Sequence, residues 1–199
     1  MQQKSHSASA IFSLFLVIAF GVVVWQRQAI MDWFVLRNYT PPAEIVKLAE
    51  QTTMNEKSKR LFYVQRPSLQ DKQTFRDNCV TTEQSIVLGC FVTTKGIYLL
   101  DVQEPKLEGV EQVTAAHELL HAAYDRLSSA ERKQIDKQLT DFFATVQDER
   151  IKTTVENYRK KDPSIVPNEL HSIVATEIRT LTPELEQYYA RYFTNRAAI

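Results

Sequence analysis

With 199 residues, 44% of them hydrophobic, the chain can hold one globular domain with a proper core plus an appended segment, and little else. Its 24 Lys and Arg balance 24 Asp and Glu, and the short basic runs at 57–60 and 159–161 read as solvated surface, which argues against a nucleic-acid partner. Scarce glycine and the lack of any internal repeat or low-complexity tract exclude collagen-like, solenoid and disordered classes.

Residues 1–9 form a polar tail carrying Lys4 and His6. The stretch 11–25 then runs without a charge, and counted from Ala8 it spans about 18 residues, near the lower limit for a bilayer-crossing helix. Trp25 suits the far interface. We therefore expect an uncleaved transmembrane anchor over residues 10–26. A secretory signal peptide is the competing reading, but no A-x-A-like cleavage site follows. Orientation is contested by two signals. Arg27 and Arg37 after the span outweigh Lys4 before it, which does not favour an outside domain. Cys79 and Cys90, the only two cysteines, argue the other way, since an even pair in an exported domain is usually a disulfide. Two buried free thiols are the alternative. The expectation is a cytoplasmic N-terminus and a domain on the extracytoplasmic side of the cell membrane.

Residues 27–41 read as a juxtamembrane stalk. Ile30, Trp33, Phe34 and Arg37 fall at helical spacing, which suits either an amphipathic helix on the membrane surface or a helix running straight out of the span. Pro41 and Pro42 end it, and the folded domain takes residues 42–199. Residues 42–52 predict a helix with Ile45, Leu48 and Ala49 inward. LFYVQ at 61–65 reads as a strand, and Ser68 followed by Asp71 as the opening of a short helix. Residues 85–93 and 97–102 predict a hairpin turning through Thr94, Lys95 and Gly96, with 97–102 as either a sheet edge or a core strand.

A helix over 111–127 carries His117-Glu118-Leu119-Leu120-His121. Histidines at i and i+4 lie on one helix face, so both can reach one metal ion, and Glu118 stands beside it, about 100° round from His117. This HExxH spacing implies a zinc ion whose bound water Glu118 deprotonates. The helical half follows. Ser128 and Glu131 form a capping box ahead of a stripe of Ile135, Leu139, Phe142, Phe143 and Val146. Further helices are predicted over 151–158 and 169–181, and Thr182-Pro183-Glu184 opens the last one.

At HExxH the sequence resembles the zincin metallopeptidases, and among them the gluzincins, whose third ligand is a glutamate on a later helix. The residues after His121 lack the third histidine of the metzincin pattern. Asn168-Glu169-Leu170-His171-Ser172 looks like the start of the gluzincin glutamate helix, so the resemblance covers about residues 85–181. A broader likeness is to small, membrane-anchored bacterial proteins of this kind. It implies an α+β zincin-like fold, with a three- to four-stranded sheet on the HExxH helix and a helical C-terminal half. The implied activity is peptide-bond hydrolysis, with His117, His121 and Glu169 holding Zn2+ and Glu118 as general base, on a peptide or protein substrate. Glu177 competes with Glu169: eight residues apart on one helix, they are about 12 Å of rise and about 80° of rotation apart and cannot share the metal. Glu169 is preferred, although Ile173 stands where the pattern usually places an acid. His171 reads either as a catalytic donor to the oxyanion or as a structural histidine, and Asp125 as an orienter of His121 or a solvated residue. Tyr188, Tyr189, Tyr192 and Phe193 read as helix packing. The alternative function is a zincin-fold binding or regulatory protein that cleaves nothing.

Overall fold

The computed structural model describes residues 5–79 and 87–199, which divide into two compact units at Thr40 and Pro41. In the N-terminal unit, α1 (Ser5–Leu36) bends by 60° between Ile11–Val24 and Gln26–Leu36. Several of its described apolar side chains are exposed, Phe12, Phe15 and Phe20 at 63%, 65% and 71%. Among the described residues no single helix is long and apolar enough to cross a membrane, but these two arms pass that test together as a bent pair. The tail anticipated over residues 1–9 is helical from Ser5, while residues 1–4 and the Trp25 side chain lie outside what is described. The stalk prolongs the helix around the bend, and the Arg37 guanidinium sits 5.6 Å and 5.0 Å from the Trp33 and Phe34 ring centres.

The second unit opens with α2 (Ala43–Gln51), which buries Ile45, Leu48 and Ala49 as its periodicity predicts. The next element corrects the sequence reading. Residues 61–65 are not a strand; they lie in or just after α3 (Glu56–Val64), whose Asn55 cap accepts a hydrogen bond from the Ser58 N–H. The helix places Ser58, Leu61 and Phe62 on one buried face, and that packing overrides the β-preference of a short run. Ser68–Gln70, where a helix start is predicted, is instead β1, and Asp71 caps α4 (Lys72–Asn78) by accepting from the Gln73 and Thr74 N–H groups.

β2 (Gly89–Val92) and β3 (Gly96–Leu100) form the predicted antiparallel hairpin, with β3 beginning one residue earlier and ending two residues sooner than expected. Ser85 and Ile86, the start of the anticipated strand, lie outside the described residues. Gly96 has φ +126°, and a Cβ there would collide with the Gln65 carbonyl, so only glycine fits. The order β1-β3-β2 decides against 97–102 as the edge: β3 is central, because β1 pairs in parallel along its far side, and among the described residues β2 forms an edge. A disulfide joins Cys79, at the end of α4, to Cys90 on β2, with Cα atoms 6.0 Å apart.

The remaining helices are α5 (Val110–Asp125), α6 (Ser129–Phe143), α7 (Glu149–Lys161), α8 (Val166–Glu177) and α9 (Pro183–Tyr189). The Ser128–Glu131 capping box and the Thr182 cap form as predicted. α5 threads the middle of the unit, meeting α2, α3, β2, β3 and α8. Its alanines 115, 116, 122 and 123 are buried and allow that close approach, while Leu119 and Leu120, at 0% exposure, each contribute about 2 kcal/mol of apolar burial. α8 packs against α5, α6 and α7 through Leu170, Ile173 and Val174. It starts earlier than predicted, with Pro167 in its first turn, and stops at Glu177 as Ile178 turns extended. Nine α-helices and a three-stranded mixed sheet among the described residues make an α+β fold.

Candidate metal centre

Helical spacing does what it must on α5: the His117 and His121 rings lie 4.7 Å apart, one turn from each other. α8 brings Glu169 across to them. Its Oε2 lies 3.7 Å from His117 Nε2 and its Oε1 3.8 Å from His121 Nε2. The ligand atoms of the three residues all fall within 4.8 Å of one another. Two atoms each bonded at about 2.1 Å to one tetrahedral ion stand roughly 3.4 Å apart, so this spacing surrounds a gap of metal size rather than closing into hydrogen bonds.

Glu169 Oε2 is buried without a hydrogen-bond partner, an arrangement that a cation in the gap would relieve. Burial pushes the Glu169 carboxyl up, but His117, His121 and the Tyr158 hydroxyl together hold it below its ordinary value, so it stays a carboxylate. Asn168 Oδ1 lies 3.0 Å from His121 Nδ1. An amide oxygen only accepts, so Nδ1 carries the proton and the Nε2 lone pair is left for a metal. Ser172 Oγ stands 3.4 Å from the same nitrogen. Sequence reasoning missed this role for Asn168, whose signal is its position beside the candidate ligand Glu169, one turn before Ser172. Glu118 is 6% exposed on α5, and Gly89 of β2 lies against its side chain.

The other sequence candidates fall elsewhere. Glu177 lies at the far end of α8, where its Oε2 accepts from Arg150 Nη1 at 2.6 Å. Asp125 does not orient His121; it accepts from the Thr93 hydroxyl at 3.0 Å and lies 4.0 Å from Arg132. His171 is fully buried, and its Nε2 meets the Tyr188 hydroxyl at 2.8 Å. The rings of Tyr124, Tyr188, Tyr189 and Tyr192 surround it at 5.4–6.2 Å. Burial, with His121 nearby, pushes its pKa down to about 3 against the pull of the Leu120 carbonyl, so it is neutral. Of the two readings of His171, that enclosure matches the structural one and not the catalytic one: the residue exposes no atom to a substrate, and it belongs to the core. Tyr189, Tyr192 and Phe193 are likewise buried packing.

No protein family, curated protein or solved structure matches this chain. What the site can do is set by its donors. Two imidazole nitrogens and one carboxylate suit zinc, whereas calcium or magnesium would call for oxygen ligands throughout.

Proposed function

We propose that the chain is a membrane-anchored, zinc-dependent metallopeptidase. The observation that carries this reading is the convergence of Glu169, with its partnerless buried oxygen, on the two HExxH histidines. His117, His121 and Glu169 would hold the ion, and zinc bound there supplies a Lewis acid that polarises a carbonyl and lowers the pKa of a water to about 7. Glu118 takes a proton from the attacking water and hands it to the amine nitrogen as the C–N bond breaks, so no covalent intermediate with the protein forms. Asn168 keeps the His121 ring in one tautomer and one orientation. An extended peptide substrate would run along β2, the edge strand beside Glu118 among the described residues, rather than along 97–102. The ligand set His117, His121 and Glu169, with Glu118 as base, is the one the gluzincin resemblance of residues 85–181 implies.

The anchor in this reading is the bent apolar pair of α1, and the Cys79–Cys90 disulfide favours a domain on the extracytoplasmic side, where such bonds persist. The test is cleavage of a mixed peptide library, followed by mass spectrometry, with the zinc-loaded wild type and Glu118→Gln. The variant is expected to keep its zinc and fold and to cleave at least about a hundredfold more slowly. Equal cleavage by both proteins would sink the enzymatic reading.

A further inference from the structure

The side chain of Glu118 shares its space with a strand that has no side chain to offer. A Cβ built on Gly89 would lie 2.5 Å from Thr114 Cγ2, 2.9 Å from Glu118 Cγ and 3.0 Å from Glu118 Oε1. Thr114 and Glu118 are one turn apart, so they line the same face of α5 and meet β2 together. Both backbones are tied in place. β2 is hydrogen-bonded to β3, with Gly89 opposite Leu99, and the next residue, Cys90, is tied to α4 by the disulfide. Behind α5, Ala115, Ala116, Leu119 and Leu120 are all at 0% exposure in the core. An added methyl group must therefore be absorbed by the Thr114 and Glu118 side chains themselves.

We infer that Gly89 is a positioning residue for Glu118: its missing side chain lets the edge strand lie directly on the carboxylate that moves the proton. This rests on the peptidase reading and deepens it. A Cβ at 89 forces Glu118 out of its rotamer from Cγ outward, and a displacement of about 1 Å at a reacting group is costly even when the fold survives. The sequence hides this role, because a lone glycine in a β-prone run reads as a mere interruption.

Two contacts at one Cβ allow packing and positioning to be separated. The full-length chain in detergent is loaded with cobalt and titrated with acetohydroxamate, a metal-chelating probe that hydrogen-bonds to a neighbouring carboxylate, by visible absorption. The melting temperature of each protein is measured in parallel. Glu118→Gln sets the reference by raising the acetohydroxamate Kd about tenfold, the worth of one charge-assisted hydrogen bond. Gly89→Ala is expected to lower the melting temperature by about 5 °C and to raise Kd by a similar tenfold. Adding Thr114→Ala removes the closest clash, so the double variant recovers its melting temperature while Kd stays raised. Recovery of both quantities, or a Gly89→Ala protein with unchanged Kd, would mean that Gly89 only makes room for packing and would overturn the inference. If the wild type takes up no cobalt, or Glu118→Gln leaves Kd unchanged, the peptidase reading itself fails, and the role of Gly89 falls with it.

Discussion

The two ends of α8 differ in what they do with charge. At the N-terminal end, Glu169 keeps a buried oxygen without a partner, and Asn168 turns to His121 on α5. At the C-terminal end the polar groups are satisfied within the protein. Glu177 pairs with Arg150, and the Arg196 guanidinium donates to the Ala175, Ile178 and Arg179 carbonyls and to both oxygens of Glu186. One end of the helix thus keeps a buried carboxylate oxygen without a hydrogen bond between two histidines, which in the proposed reading a cation would meet, while the other is closed by contacts that stabilise the fold. The lesson is that a glutamate's place along a helix matters less than whether the surroundings already answer its charge.

If this contrast holds, substitutions at the two ends should separate metal binding from stability. The largest effect is expected for Glu169→Ala, which should weaken zinc binding by more than about a hundredfold in a chelator competition, beyond the range for residues that only support a ligand. Zinc held as tightly as in the wild type would break the comparison. Arg196→Met should lower the unfolding free energy by about 2–3 kcal/mol in a denaturant titration, because its side chain is 4% exposed and three backbone carbonyls lose their donor. Zinc affinity should remain within about threefold, since the clamp lies at the far end of the helix. Asn168→Ala, which leaves His121 Nδ1 without its carbonyl partner, should cost about tenfold in zinc affinity with little change in stability. The smallest effect is expected for Glu177→Gln. Its partner Arg150 is 63% exposed, so the pair contributes less than about 1 kcal/mol, and zinc binding should not change.

The sequence was most legible where the physics is local. His117 and His121 needed only the helical repeat, and the caps at Ser128 and Thr182 needed only the hydrogen bonds that a helix start leaves open. Preferring Glu169 to Glu177 relied on a family pattern, and the packing of α8 on α5 is what brings it to the histidines. Most of the misreadings depended on partners distant in sequence, and the first on a helix cap a few residues upstream that the β-prone run obscured. Residues 61–65 look like a strand until the Asn55 cap and the core claim Leu61 and Phe62. The strand at 97–102 looks like an edge until β1 pairs along its far side, a partner about thirty residues earlier. His171 looks catalytic two residues after the candidate ligand Glu169, yet a rotation of about 200° round α8 turns it from the side of His117 and His121 into a cluster of tyrosines. Asn168 stayed hidden because its meaning lies in an atom 47 residues away.

The most direct test of the central claim is the zinc content of the purified full-length chain, measured by mass spectrometry after loading and exhaustive dialysis, alongside His121→Ala and Glu118→Gln. The account predicts one zinc per chain in the wild type, one in Glu118→Gln, whose carboxylate stands beside the ion without holding it, and a loss in His121→Ala. A wild-type chain that retains no zinc, or a His121→Ala chain that retains as much as the wild type, would contradict it.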